Sequence, residues 1–243
     1  MKTYGLLGYP LGHSFSKGFF TKKFKAEGLS DHEYINFAYS EITEAVKHLR
    51  GNPEILGFNI TIPHKVNILP YLDSMDPLCS AIQSCNCVKV EKGRWKGFNT
   101  DVLGFEYSLN PLLKPAHKNA LVFGTGGASK AIVFVLRKLG LEVLQVSRTP
   151  GKGVVSYEAL SADILKTHTV WVNTTPVGLA PDSESVLPLD FNQIGSAHLV
   201  YDLIYNPEKS KLLQKAAQMG ATIKNGMEML VIQAEESWKI WKS

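Results

Sequence analysis

A chain of 243 residues, 44% hydrophobic and 20% charged, can bury one large core or two modest ones. Its formal charge of +4 is small for that length and its lysines are scattered, the tightest group being Lys22, Lys23 and Lys25, so a solvated helix face is expected and a nucleic-acid partner is not. No apolar run approaches the roughly 20 residues that cross a bilayer, and Gly5, Gly8, Pro10 and Gly12 stand where a secretory core would lie, so a cytoplasmic protein without a membrane partner is expected. Cys79, Cys85 and Cys87 form an odd set without a CxxC pair; buried free thiols are expected, with no disulfide framework and no metal site.

Strand-like and helical runs alternate from the start: Tyr4 to Leu7, a helix from about Ser16, His32 to Ala38, a helix from about Ser40, then Ile55 to Ile60. Phe15, Phe19, Phe20 and Phe24 lie on adjoining turns of the first helix, and Ile42, Ala45, Val46 and Leu49 on the second, as in helices packed on a sheet. Between Leu103 and Lys114 the period fades, with Asn110, Pro111 and Pro115 as punctuation, and a domain boundary is expected there. A second strand and helix series follows: Ala120 to Phe123, a helix through Ala131, Ile132, Val135, Leu136 and Leu139, then Glu142 to Val146, Thr169 to Val172 and Leu199 to Leu203. Right-handed crossovers and a parallel sheet follow from that order. The last helix carries Met227, Leu230, Val231, Ala234, Trp238 and Trp241 at helical spacing, a stripe that needs a partner surface.

Gly124-Thr125-Gly126-Gly127-Ala128-Ser129 stands between an apolar strand and an amphipathic helix. Glycines there let backbone N–H groups approach a pyrophosphate at the helix N-terminus. The pattern alone is weak, because Ser129 replaces the third glycine of GxGxxG, and its context carries the reading. A carboxylate after the second strand would bind a ribose hydroxyl, whereas Ser147, Arg148 and Thr149 follow here, with Lys152 close behind. A guanidinium and a second cation suit a 2′-phosphate, so NADP is favoured over NAD. Asn173-Thr174-Thr175-Pro176-Val177-Gly178 ends the next strand, where it can touch a cofactor.

In the first hundred residues small polar groups gather at strand ends: His13 to Ser16, Asn59 to Lys65, Asn86, and Asn99 to Asp101. Such groups suit the hydroxyls of a polyhydroxylated acid. Removing hydride from an alcohol carbon requires a base for the hydroxyl proton, and a lysine held by a carboxylate, Lys65 with Asp101, supplies one. With an ordinary pKa near 10.4, only about one lysine in a few thousand is neutral at pH 7, so an alkaline optimum for alcohol oxidation is expected, and His13 and His64 stand as rival bases.

In this order the segments resemble the shikimate dehydrogenase family. The opening G-x-P-x-x-H-S-x-S pattern is Gly8, Pro10, His13, Ser14 and Ser16; N-x-T-x-P-x-K is Asn59, Thr61, Pro63 and Lys65; N-T-D is Asn99, Thr100 and Asp101. The glycine loop, the Arg148-Thr149 pair, Tyr205-Asn206-Pro207, and Gly226 with Met229, Leu230 and Gln233 complete the match. The resemblance implies that Ser14, Ser16, Asn59, Thr61, Asn86, Asp101, Tyr205 and Gln233 surround shikimate, with Lys65 as the acid-base residue. It implies that Gly124, Gly126, Gly127, Ala128, Ser129, Ser147, Arg148, Thr149, Lys152, Thr174 and Gly226 meet NADP. The expected architecture is α/β with two domains: a substrate domain with a mixed, mostly parallel sheet, residues 1–102 plus 226–243, and an NADP-binding Rossmann domain, residues 103–225, the active site lying in the cleft between them. The expected activity is reversible reduction of 3-dehydroshikimate with NADPH by a monomer or homodimer. A quinate or broad shikimate/quinate dehydrogenase is the alternative enzyme, and a non-catalytic NADP-sensing module the alternative of another class. Three departures stand out: Lys17 and Gly18 follow Ser16 where the family has Pro, Gln83-Ser84-Cys85 replaces G-A-V before Asn86, and Ser147 replaces Asn.

Overall fold

Apolar strands alternating with helices build two separate sheets. The computed structural model describes residues 1–12 and 15–243. The chain folds as two compact units, Met1–Thr100 with Ala234–Ser243, and Asp101–Gln233.

The first unit runs β1 (Lys2–Gly8), α1 (Phe15–Ala26), β2 (His32–Ala38), α2 (Ile42–Arg50), β3 (Ile55–Ile60), α3 (His64–Asn67), β4 (Ser74–Met75), α4 (Pro77–Ile82), β5 (Cys87–Glu91) and β6 (Arg94–Phe98). The sheet order is β2-β1-β3-β5-β6-β4. Helical crossovers keep β1, β2 and β3 parallel. β5 is antiparallel to both β3 and β6, and the short β4 adds to β6 in parallel. The two-residue link from β5 to β6 is Lys92-Gly93, both at positive φ, as the twist of a tight hairpin demands. One face of the sheet buries Leu7, Phe37, Ile55, Phe58, Val88 and Trp95. The other buries an aromatic cluster of Tyr4, Phe20, Phe24, Tyr34, Trp238 and Trp241. A Cβ on Gly57 would lie 2.4 Å from Trp241 Nε1, so only a bare backbone lets the indole rest on β3, from which it donates to Val88 O at 2.9 Å.

The second unit begins with α5 (Asp101–Leu109) and continues β7 (Asn119–Phe123), α6 (Gly127–Lys138), β8 (Glu142–Val146), β9 (Val154–Val155), α7 (Ala162–Thr167), β10 (Val170–Asn173), β11 (Leu199–Asp202), α8 (Lys211–Gln218), β12 (Thr222–Asn225) and α9 (Met227–Lys242). Every pairing between its strands is parallel, in the order β12-β11-β10-β7-β8-β9. That is the doubly wound Rossmann order, with the reversal between β7 and β10. β10 and β11 are buried throughout, as a parallel sheet covered on both faces requires.

The two-domain α/β expectation holds. The segment read as aperiodic from Leu103 is helical: α5 buries Val102, Gly104, Phe105, Ser108 and Leu109 on one face, and the period fades because that face includes Asp101, Gly104 and Ser108 while Tyr107 is exposed opposite it. The boundary between the units falls at Thr100/Asp101 and within α9, where the sequence reading expects 102/103 and 225/226. All three cysteines are buried and free. Among the described residues no helix is long and apolar enough to cross a membrane.

Candidate active site

In the second unit, the end of β7 and the start of α6 form the glycine loop. Gly124 sits at φ +107°, and a Cβ there would come within 2.7 Å of Thr174 Oγ1, so this position requires glycine on both counts. A Cβ on Gly126 would meet nothing within 4 Å, leaving open space before the α6 N-terminus. Ser129, at the position of the missing third glycine, is buried and donates its hydroxyl to Gly126 O at 2.7 Å. After β8, Ser147 is half-buried while Arg148, Thr149 and Lys152 are exposed, and the Thr149 N–H donates to Ser147 Oγ. No carboxylate stands in that turn.

The β10 loop lies across the switch point. The Thr174 N–H and hydroxyl both donate to Phe123 O, at 2.9 and 2.6 Å. Asn173 Oδ1 accepts from Thr175 N and Oγ1, while its Nδ2 donates to Asp202 Oδ1 at 3.0 Å. Asp202 is completely buried at the end of β11 and accepts further bonds from Ile204 N and Ser210 Oγ. Desolvation outweighs those bonds and pushes its carboxyl up to about 6. Asp202 thereby joins the loop after β10 to the half-buried segment that holds Tyr205. Gly226, just before α9, has Leu203 O where a Cβ would stand.

The first unit collects the polar strand ends. Ser14 and His13 lie outside the described residues. Ser16, Asn59 and Asn86 are all buried. The Tyr34 hydroxyl donates to Asn59 Oδ1 at 3.0 Å and also meets Ser16; burial raises its pKa well above the ordinary value. Asn59 Nδ2 donates to Ser237 Oγ at 2.7 Å and to Asn86 O at 3.3 Å. Asn86 is held by Thr100, whose N–H donates to Asn86 Oδ1 at 2.7 Å and whose hydroxyl accepts from Asn86 Nδ2 at 3.0 Å. Thr61, half-buried, opens the turn into α3 by accepting from His64 N. Lys65 is half-buried in α3, and its carbonyl accepts from Cys85 N at 2.8 Å, which fastens it beside the residue preceding Asn86. His64, the rival base, is buried with its ring bonded to Tyr39 O.

Asp101 is buried in the first turn of α5, and Gln233 is buried on α9 beside Gly104. Both belong to the second unit, whereas Lys65 belongs to the first.

A family model described as the shikimate dehydrogenase substrate binding domain matches residues 6–88. The NADP(+) shikimate dehydrogenase of Methanococcus maripaludis is 36% identical over 258 residues, which cover 99% of this chain and 91% of that relative. The chain belongs to the shikimate dehydrogenase family. Its counterpart in Shouchella clausii is 37% identical, with 99% and 92% of the two chains covered. The crystal structure of the Thermus thermophilus shikimate 5-dehydrogenase, in complex with NADP(H) and shikimate, superposes with a TM-score of 0.87 at 30% identity, covering 99% and 93%.

Within the shikimate dehydrogenase frame, Gln83 is explained. It caps α4 at φ +56°, the left-handed region that favours the family's glycine, and its exposed side chain folds back to Ser80 O. Ser84 is wholly buried, and its carbonyl accepts from Asn99 Nδ2. Tyr34 and Ser237 are not among the site residues that the sequence singles out, and Thr100 stands there only as the middle residue of the N-T-D element. Of the first two, Ser237 carries a legible signal, a hydroxyl on the same helical face as Ala234 and Trp241.

Proposed function

We propose that this chain is a cytoplasmic oxidoreductase that reversibly reduces 3-dehydroshikimate to shikimate with NADPH, a step toward chorismate and the aromatic amino acids. The observation that carries the reading is the near full-length match to NADP(+) shikimate dehydrogenases. The donor set fits the cofactor: open space at Gly126 before a helix N-terminus suits the pyrophosphate. Arg148 and Lys152, with no carboxylate nearby, suit a 2′-phosphate.

Gly124, Gly126, Gly127, Ala128 and Ser129 would hold the pyrophosphate; Ser147, Arg148, Thr149 and Lys152 the adenosine phosphate; Thr174 and Gly226 the nicotinamide end. Bound there, the reduced nicotinamide supplies the hydride. Lys65 gives the proton that turns the substrate carbonyl oxygen into a hydroxyl and takes it back in the reverse direction. Asp101 is the second catalytic group. Ser14, Ser16, Asn59, Thr61, Asn86, Tyr205 and Gln233 supply the neutral donors and acceptors that a polyhydroxylated acid needs. Lys65, half-buried on a short helix pinned by Cys85, stands better placed to move a proton than His64, whose ring is buried on a main-chain carbonyl.

The test follows absorbance of the reduced nicotinamide with 3-dehydroshikimate, beside NADH and beside 3-dehydroquinate. NADPH-selective turnover of the first acid is expected. Lys65→Ala should lower kcat by about 10²- to 10⁴-fold with NADPH binding intact; turnover within a few-fold of the parent would remove Lys65 from the proton transfer.

A further inference from the structure

Ser237 on α9 is completely buried and stands at the junction of two amide side chains. Its Oγ lies 2.7 Å from Asn59 Nδ2 and 3.3 Å from Thr100 Oγ1, and Thr100 holds Asn86 through two further bonds. At the far end Tyr34 donates to Asn59 Oδ1 at 3.0 Å.

These interactions leave the Asn59 amide one orientation. An amide can turn over, exchanging oxygen for nitrogen, when every neighbour can either donate or accept. The hydroxyls of Tyr34 and Ser237 are such neighbours. The Asn86 main-chain carbonyl, 3.3 Å from Nδ2, only accepts, so the nitrogen must face Asn86 and Ser237 and the oxygen must face Tyr34. Both N–H hydrogens are then used inside the protein, while one lone pair of Oδ1 stays open among the described residues. An Asn59 so fixed offers a ligand an acceptor and no donor, which suits a hydroxyl and disfavours a carboxylate.

We infer that Ser237, together with Tyr34, is a positioning residue for substrate recognition: with the Asn86 carbonyl it takes up both Asn59 N–H hydrogens, so that Asn59 faces a ligand as an acceptor only, and through Thr100 it steadies Asn86 in the same hydrogen-bonded chain. The inference rests on the proposed polyhydroxylated substrate and names what orients one side of its site. Losing the Ser237 hydroxyl leaves one Asn59 hydrogen without its partner, so the amide loses an anchor and turns a donor as well as an acceptor toward a ligand. Because a substrate hydroxyl is held in the ground state and the transition state alike, the loss falls on KM and spares kcat.

The experiment compares steady-state kinetics with 3-dehydroshikimate and NADPH for the parent, Ser237→Ala, Tyr34→Phe, Asn59→Ala and the Ser237→Ala/Asn59→Ala pair. Each of the first two variants should raise KM for the acid by about tenfold while kcat and the KM for NADPH stay within about twofold. The pair should be no worse than Asn59→Ala alone, since Ser237 acts through Asn59. Tyr34→Phe deletes one oxygen, keeps the ring packing, and reads the same clamp from the other end. An unchanged KM in both single variants, or additive effects in the pair, overturns the clamp while leaving the proposed reaction standing. A parent without turnover removes the proposed reaction and this inference with it.

Discussion

Replacing Asp202 by asparagine measures what a buried carboxylate costs the second unit. Three donors point at it: Ser210 Oγ at 2.5 Å, Ile204 N at 3.0 Å and Asn173 Nδ2 at 3.0 Å. Desolvation is the larger influence and lifts the pKa from 3.8 to about 6. A carboxyl whose pKa rises on folding binds its proton more tightly in the folded state. Its contribution to stability is therefore fully present below pH 3.8, falls as pH climbs toward 6, and is lost above that. The rise from 3.8 to about 6, at 1.36 kcal/mol for each tenfold change in proton affinity, amounts to about 3 kcal/mol. Asparagine has the same shape and no charge: its oxygen keeps Ile204 and Asn173, and its nitrogen donates to Ser210 Oγ, which accepts as readily as it donates. Asp202→Asn should therefore match the parent near pH 4 and exceed it near pH 7.5 by up to about 3 kcal/mol, read from urea unfolding at several pH values. A variant weaker than the parent by the same amount at every pH would refute the reasoning, because the lost interaction would then be a hydrogen bond and not a desolvated charge.

Gln83→Gly should stabilise the chain by about 0.5–1 kcal/mol, seen as a higher urea midpoint, because the αL cap of α4 then carries no Cβ. Arg148→Ala should raise the KM for NADPH about tenfold and leave that for NADH little changed, since the guanidinium is assigned to the 2′-phosphate alone; equal losses for both nucleotides would contradict that assignment. Gly57→Ala should cost about 1–3 kcal/mol and shift the tryptophan emission, as a methyl 2.4 Å from Trp241 Nε1 expels the indole from β3.

Legibility in the sequence follows the range of the interactions. The glycine loop is readable because its meaning is local: a strand, a turn that needs Gly124, and a helix, all within about twenty residues of one another. β8 is legible with both ends right, Glu142–Val146, and β2 likewise, because each is a short run with β-branched or aromatic residues and turn residues beside it. The β5–β6 hairpin is not, since its turn is Lys92-Gly93 and not the Asn-Gly that signals one, and β6 alternates Trp95 and Gly97 inward, a pattern too sparse to stand out. α5 hides because its buried face mixes Asp101, Gly104 and Ser108 with its apolar residues while Tyr107 is exposed. The polar chain through Tyr34, Asn59, Ser237 and Thr100 joins residues up to 178 positions apart. Single hydroxyls announce no partner, so nothing local pairs them. In the sequence Gln83 stands as a departure from the family pattern close to Asn86; the structure turns it outward and makes it a matter of backbone conformation.

α9 has a consequence for synthesis. Its first residues belong to the second unit and its last ones, Ala234 onward, to the first, where Trp238 and Trp241 complete the aromatic face over Tyr4, Phe20 and Phe24. Residues 1–100 leave the ribosome before residues 234–243, yet the surface they must cover waits for those residues. The second unit, contiguous in sequence, closes its own sheet before that. The first unit therefore carries exposed aromatic surface while the second unit is being made and buries it only when α9 has emerged, a window in which a chaperone has the most to hold.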